Sequence, residues 1–248
     1  MTSIGSGYDL SAATYSPEGK IHQIEYAMKA VETADIAVGV KCSDGVVLAT
    51  KKRVGTPLLE ASRNRVISTA DVHIGTVFGG HEMDGLALSC YGRKEAMSFH
   101  KEMDMAVSAK MFGGRMARYV HAHTLYASIR PFGVCLIIGA YDKEGPSLHM
   151  IKPSGLLYGY TSCCVGRESQ AAETELGKTV WGEKTCVEAV DELVRVLAGL
   201  YASEVDAKFE LEMSWIGPQS GYEHAHLRDT DVLEARLRAG DGTRMEIE

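Results

Sequence analysis

The sequence predicts an α+β fold, with helices segregated from largely antiparallel sheets, and three observations carry that prediction. Short apolar runs that read as strands cluster in two groups, at 36–49 with 66–78 and at 134–160. Two longer stretches, 81–126 and 167–201, carry apolar residues at helical spacing and lie between and after those groups. Near the end, Phe209, Leu211, Met213 and Trp215 alternate with Glu210, Glu212 and Ser214, the period-two pattern of a half-buried strand. Strands, two helices, strands, two helices and a last strand make an α+β order. The order alone does not choose among the layered arrangements of that class.

The first element precedes the strands. Ser16-Pro17-Glu18-Gly19 has proline where φ must be near −65° and glycine at the exit, so it reads as a tight turn. Beyond it Ile21, Ile24, Met28 and Val31 fall at i, i+3, i+7 and i+10, one apolar face of a helix. Ile36, Val38 and Val40 then alternate with Ala37 and Gly39, and Ser43-Asp44-Gly45 turns the chain into Val46-Val47-Leu48-Ala49, which makes a hairpin. Val66-Ile67 and residues 73–78 read as two further strands. In the first helical stretch Leu86, Cys90 and Met97 mark one helix and Met116, Val120 and Leu125 the next, with Gly113-Gly114 at the second helix's boundary.

Strands return at 134–138, 148–151 and 156–160, joined by Asp142-Lys143-Glu144-Gly145 and Pro153-Ser154-Gly155. A helix follows over 167–180. Another opens at Thr185, spaced from Glu188 as a capping box, and continues through Val187, Val190, Val194, Leu197 and Tyr201. Past Gly217 the chain turns polar, with a helix-like run over 231–237 and an acidic end.

Composition bounds the function. A chain of 248 residues is one large domain, with ordinary apolar (45%) and charged (24%) content. A net charge of −7 argues against nucleic acid as the main partner, because neutralising phosphates needs a basic face. The run Lys51-Lys52-Arg53 reads as a solvated strand end. No stretch approaches the roughly 18 apolar residues of a membrane span. The first ten residues carry no charged and apolar leader pattern, so the expected location is cytoplasm and nucleus, with no membrane partner. Six cysteines, Cys42, Cys90, Cys135, Cys163, Cys164 and Cys186, include no Cys-x-x-Cys pair and are expected as buried thiols that behave as small hydrophobes.

Local constellations point away from bound cofactors and metals. His121 and His123 stand at i, i+2, which on a helix sends them apart, and no His-Glu-x-x-His occurs. Gly5-x-Gly7 neither follows a strand nor opens a helix, so it is tail flexibility and not a phosphate cradle. Gly79-Gly80 reads as a tight strand-to-helix connection. Ser154, Ser162 and Ser169 have no histidine near them in sequence, which excludes little because triads assemble in space.

Residues 7–31, GYDLSAATYSPEGKIHQIEYAMKAV, closely resemble the N-terminal signature of proteasome α-type subunits. Within that family, Leu10 after Tyr8-Asp9, the segment 119–126, Arg130-Pro131-Phe132-Gly133 and residues 209–215 are most similar to the α7-position (alpha type-3) branch. The resemblance spans roughly 3–217. It implies a four-layer αββα sandwich of the N-terminal-nucleophile hydrolase type with an extra N-terminal helix. It divides the single domain into a gate tail and lead-in (1–15), turn and leading helix (16–33), sandwich core (34–217) and polar C-terminal extension (218–248).

The resemblance also raises the question of catalysis. Catalytic β subunits of the family use a threonine at the processed start of the first strand, whose own amine acts as base. Aligning the hairpins puts Asp35 where that threonine would stand and Lys51 where its supporting aspartate would be. Thr33 is near, but inside the chain its nitrogen is an amide and cannot accept the proton. The expectation is no catalytic residue and no cofactor, in a structural and gating subunit of the outer ring. A self-processing threonine hydrolase of the same fold and a stand-alone binding protein are the alternatives.

The resemblance further implies that residues 1–10 form a gate segment, with Tyr8 and Asp9 bonding between neighbouring tails and Pro17 and Tyr26 bracing the turn and helix. Thr2, Ser3, Gly5 and Ser6 suit a mobile tail, with Ile4 its one apolar contact. The implied partners are neighbouring α subunits against the leading helix, β-ring subunits, and regulatory particles whose C-terminal carboxylates enter pockets between α subunits. The matching segment here is Arg63-Asn64-Arg65-Val66, where Arg65 supplies the cation.

Overall fold

The computed structural model describes residues 7–54, 56, 58–59, 65–200, 209–228 and 232. Among them the strands form two five-stranded antiparallel sheets. The first holds β1 (Ile36–Lys41), β2 (Val46–Arg53), β8 (Ser162–Val165), β9 (Phe209–Ile216) and β10 (His224–His226), in the order β10-β9-β2-β1-β8. The second runs β3 (Ser68–Asp71), β4 (Ile74–Gly80), β5 (Val134–Asp142), β6 (Gly145–Ile151) and β7 (Leu157–Gly159) in sequence order. Five helices complete the described residues: α1 (His22–Glu32), α2 (Glu82–Met103), α3 (Ala109–Ala122), α4 (Ser169–Leu176) and α5 (Cys186–Gly199).

Three apolar clusters show how the layers stack. One joins Ile36, Val38, Val40, Val47 and Ala49 of the first sheet to Ala172 and Leu176 of α4 and Val190, Leu193 and Leu197 of α5. A second joins Phe78, Leu136 and Ile138 of the second sheet to Leu88 and Phe99 of α2 and Phe112, Met116 and Val120 of α3. The third lies between the sheets, with Ala37, Val46 and Leu48 against Val77, Cys135, Ile137 and Leu148. This is the αββα sandwich, in which successive side chains point to opposite faces and the central strands β1, β2, β4 and β5 bury both. The sheets approach so closely that a β-carbon on Gly39 would sit 2.7 Å from Leu148 and 2.9 Å from Ile137.

The structure corrects several expectations. Val66 and Ile67 precede β3 and pair with no strand; their amides bond to a side chain instead. Cys90 and Met97 lie on the exposed side of α2, whose buried face is Gly85, Leu88, Gly92, Ala96 and Phe99. That face uses small residues where α2 crosses bulky neighbours, which an apolar-residue count overlooks. Gly113 and Gly114 lie inside α3, which starts at Ala109 behind the Ser108 cap, and Leu125 lies beyond its end. The helix expected over 167–180 shortens to α4, because Gly177 closes it and Trp181 turns into the core to donate its indole N–H to Leu176 O at 2.9 Å. The capping box at Thr185 and Glu188 is present. The short strands β8 and β10 have no periodic signal of their own. Tyr201 and the helix-like run 231–237, Val232 apart, lie outside the described residues.

In β9 the alternation is real, yet the polar side is not a solvent face. Ser214 is fully buried, and the Glu212 side chain is only 10% exposed. Strand β10 seals this end: His224 N donates to Val72 O, and its ring accepts or donates at 2.7 Å to Thr69 while covering Gly75.

Burial, with His226 adding repulsion, pushes the His224 imidazole down from 6.5 to about 3. The unfolded chain therefore binds this proton first, so the contribution is complete above pH 6.5 and lost as pH falls towards 3. We expect urea midpoints to drop between pH 7.5 and 5 by the equivalent of roughly 2 kcal/mol, at about 1.4 kcal/mol per unit below the unfolded value. His224→Gln should flatten that slope, and an unchanged slope would refute the assignment.

Helix α1 packs outside the sandwich core against β4 and β5, with Val31 and Ala27 buried and Ile21, Ile24 and Met28 half-buried. Its seat is shaped from below. Asp84, in the first turn of α2, accepts both Nη groups of Arg130 at 2.5 and 2.6 Å and the Gly133 amide at 2.9 Å. Desolvation pushes this carboxyl up, but the Arg130 and Gly133 bonds outweigh it and hold it below its usual range. The loop so pinned passes under α1, where a β-carbon on Gly133 would lie 3.6 Å from Ala30.

Candidate functional site

Two regions gather the residues of interest. The first is the lead-in to α1. The turn at residues 16–19 closes with Gly19 N donating to Ser16 O at 2.9 Å, and Gly19 takes φ +76°, the left-handed region that glycine enters at little cost. Ser16 is buried and its Oγ accepts from Lys20 N at 3.1 Å, while Pro17 stands exposed at the tip. Ahead of the turn, Asp9 is drawn onto α1. Its carboxylate accepts from the Tyr26 hydroxyl at 3.4 Å, and its main-chain carbonyl accepts from Gln23 Nε2. Partial desolvation and the Asp9 carboxylate push the Tyr26 phenol up. Tyr8 is 41% exposed. Of the four residues assigned to the gate, the structure joins Asp9 to Tyr26, and adds Gln23, which sequence reasoning does not single out. Residues 1–6 lie outside the described residues.

The second region is a cleft of about 390 Å³ at the head of β1, lined by Thr33, Asp35, Thr50, Lys52, Arg53 and Glu82 among others, with Val66 and Gly80 in its wall. Here a nucleophile would have to stand. Thr33 instead ends α1: its hydroxyl donates to Ala30 O at 3.1 Å and Lys29 O at 3.3 Å, and its nitrogen is part of the chain leaving the helix. Asp35 holds Arg53, accepting its amide at 3.0 Å and its Nε at 3.4 Å. Lys51 points to the opposite face, where Nζ donates to Leu197 O at 2.7 Å and Leu200 O at 2.8 Å. That ammonium satisfies carbonyls at the end of α5, a favourable place for a cation. The residues at the two positions aligned with the catalytic pair are thus held apart by separate partners.

Beside the cleft, Glu212 ties three pieces of chain together. Its carboxylate accepts from Val66 N at 3.0 Å and Ile67 N at 3.2 Å, and lies 3.2 Å from Lys52 Nζ, which also reaches Glu210 at 3.5 Å. Arg65 is exposed and shares a small cavity with Lys52, Glu210, Glu212 and His226. Burial first, then the Arg65 charge, lowers the His226 imidazole against the opposing pull of Glu212. Arg63 and Asn64 lie outside the described residues. The only sequence signal for Glu212 is its place on the polar side of β9. Among the described residues no group of His, Cys, Asp and Glu is arranged to hold a metal ion.

The family model for proteasome subunits matches residues 31–216, and the model for the N-terminal signature of A-type proteasome subunits matches 8–30. The chain belongs to the proteasome subunit family. Its α-type signature covers the lead-in, the turn and most of α1, the region where Asp9, Gln23 and Tyr26 meet. Relatives named as alpha type-3 proteasome subunits are similar along nearly the whole chain. That of Arabidopsis thaliana is 41% identical over 96% of both chains, and that of Oryza sativa subsp. japonica 40% identical over 100% of this chain and 99% of its own. A probable alpha type-7 proteasome subunit of Saccharomyces cerevisiae is 43% identical over 87% of this chain and 76% of its own. The α-type assignment and the alpha type-3 branch read from the sequence therefore stand.

Proposed function

We propose that this chain is a non-catalytic structural and gating subunit of the outer α ring of the 20S proteasome, controlling substrate entry in ubiquitin-dependent and ubiquitin-independent degradation. Assembly with other proteasome subunits follows from its α-type membership. The observation that carries the non-catalytic part is Thr33. Its hydroxyl caps α1, and its nitrogen is committed to the chain leaving that helix. An N-terminal-nucleophile mechanism needs both a hydroxyl and a free amine on one residue. Cleavage before Thr33 would have to remove α1, whose Val31 is buried against the core between the sheets.

The gating part rests on the lead-in. Tyr8, Asp9, Pro17 and Tyr26 occupy one continuous element, and the Asp9–Tyr26 bond supports a tail whose base is held on α1 while the segment before it serves as the barrier. The half-buried Ile21 and Ile24 supply apolar surface for neighbouring α subunits. For regulatory particles, Arg65 is the cation we assign to an incoming C-terminal carboxylate. It stands exposed beside Val66, which lines the cleft, and a guanidinium recognises a carboxylate through two parallel bonds.

Particles reconstituted with this chain lacking residues 1–9 should assemble normally and hydrolyse a short fluorogenic peptide faster than intact particles without any activator. The same preparations should show by N-terminal sequencing that the intact chain keeps its leader. Unchanged basal turnover in assembled tail-less particles would remove this chain from the gate, and a mature chain beginning at a threonine would restore the hydrolase alternative.

A further inference from the structure

We infer that the end of the sandwich sealed by β10 holds an internal water molecule, bonded by Ser214 Oγ, His226 Nδ1 and the Glu212 carboxylate, and that this water couples β10 to the segment at Val66 and Ile67. Three side chains of one sheet converge there. Glu212 and Ser214 stand two apart on β9, and Ser214 lies opposite His226 of β10 on one side and Leu48 of β2 on the other. Residues directly opposite in an antiparallel pair share a face. Leu48 belongs to the core between the sheets, so all three polar side chains point inward, towards the second sheet.

The polar atoms they bring lack protein partners. Among the described residues, Ser214 Oγ and His226 Nδ1 are buried with no hydrogen-bond partner, and Ser214 is wholly buried as a residue. Glu212 Oε1 stands 3.9 Å from His226 Nδ1, too far for a direct hydrogen bond and a spacing that a water can bridge. Buried polar groups left unpaired are costly, and in native structures protein or ordered water pairs nearly all of them. There is room as well. A cavity of about 30 Å³ opens beside Glu212 and His226, and one water needs ~10–15 Å³.

One assignment of protons satisfies all three groups. The water donates to Glu212 Oε1 and to His226 Nδ1 and accepts from the Ser214 hydroxyl. His226 is then neutral with its proton on Nε2, and burial together with the Arg65 charge already favours the neutral ring. A direct ion pair with Glu212 would instead need a protonated His226 and would leave the Ser214 hydroxyl unpaired. A second unpartnered nitrogen on β10, His224 Nε2, is pressed against Gly75, where a β-carbon would lie 2.5 Å from it, and stands outside this site. Through the water, Ser214 and His226 orient the carboxylate that accepts from Val66 N and Ile67 N, so both are positioning residues for that segment.

Urea unfolding of the purified full-length chain at neutral pH separates the water from a dry, unpaired hydroxyl and from simple packing. Ser214→Ala should raise the unfolded-to-folded ratio about 3- to 10-fold, the usual effect of losing one buried hydrogen bond. In a His226→Phe background, where the ring fills the site and expels the water, the same change should have an effect of less than about twofold. A high-resolution map of the assembled particle should show one density peak within hydrogen-bond reach of Ser214 Oγ, His226 Nδ1 and Glu212. If Ser214→Ala leaves the ratio unchanged or lowers it, the hydroxyl has no partner to lose and the inference falls. An equal cost in both backgrounds makes Ser214 a packing residue and overturns it too. If His226→Phe fails to fold, the map decides: a His226–Glu212 contact under about 3.2 Å with no peak beside Ser214 refutes the site.

Discussion

Glu212→Ala is expected to destabilise the chain by about 3–5 kcal/mol, the usual consequence of removing one partner from a buried charged pair. Two amides lose their acceptor at once, and Lys52 loses one of its carboxylate contacts. The amides of Val66 and Ile67 have no strand partner, and the carboxylate stands in for the missing ladder. Lys52, with a side chain 10% exposed, keeps Glu210 at 3.5 Å but loses its closer contact at 3.2 Å. A buried donor left without an acceptor costs about 1–3 kcal/mol, so the two amides together account for about 2–6 kcal/mol, a range that contains the expected loss. Glu212→Gln retains a carbonyl acceptor but loses the charge opposite Lys52, and should cost clearly less. Urea unfolding of the purified chain measures both. A loss under about 1 kcal/mol for Glu212→Ala would show that water replaces the carboxylate freely.

Phe112→Ala should be similarly damaging, at about 3–5 kcal/mol, the range for removing a buried aromatic ring from a core. Phe112 is fully buried where α3 meets α2. The ring fits against Gly92, whose added β-carbon would lie 3.2 Å from the ring's Cζ and 3.6 Å from Met116. Two helices that approach across a glycine have little freedom to collapse onto a void, so the cavity term should be retained. Phe112→Leu fills much of the space and should cost about 1–2 kcal/mol. In thermal unfolding each kcal/mol corresponds to a Tm shift of about 2–4 °C for a chain of this size. A drop below about 5 °C for Phe112→Ala would indicate that the helices do close the gap.

The elements that are legible in the sequence share a physical property: their signal is local. The hairpin of β1 and β2 follows from alternation around Ser43-Asp44-Gly45, and α5 from the Thr185–Glu188 box with Val190, Val194 and Leu197 behind it. The N-terminal signature is a contiguous run, so it can be recognised without knowing where any residue points. Elements that the sequence misrepresents depend on distant chain. Val66 and Ile67 are apolar and β-branched, yet their partner is a carboxylate nearly 150 residues away. Met97 is apolar and exposed, while Gly85 and Gly92 make the buried side of α2, because Phe78 and Phe112 supply the bulk there. Short strands such as β8 and β10 exist only because a neighbour offers an edge.

For the candidate sites, Tyr8, Asp9, Pro17 and Tyr26 are readable as members of a motif, but their mutual geometry is not. Gln23 sits inside the same motif without distinction, since nothing in its spacing announces a bond to the carbonyl of Asp9. The opposite fates of Asp35 and Lys51, one clasping Arg53 and the other capping α5, likewise need coordinates. By itself the sequence determined the α+β class, the leading helix, the α-type signature and the mid-chain position of Thr33 ahead of the first strand. Each is written in nearest-neighbour terms, through spacing, turn chemistry and covalent order. The tertiary structure alone decided which polar groups meet: Gln23 with the tail, Glu212 with Val66 and Ile67, Arg130 with Asp84. Hydrogen bonds are directional and short-ranged, and only the folded chain brings their partners within reach.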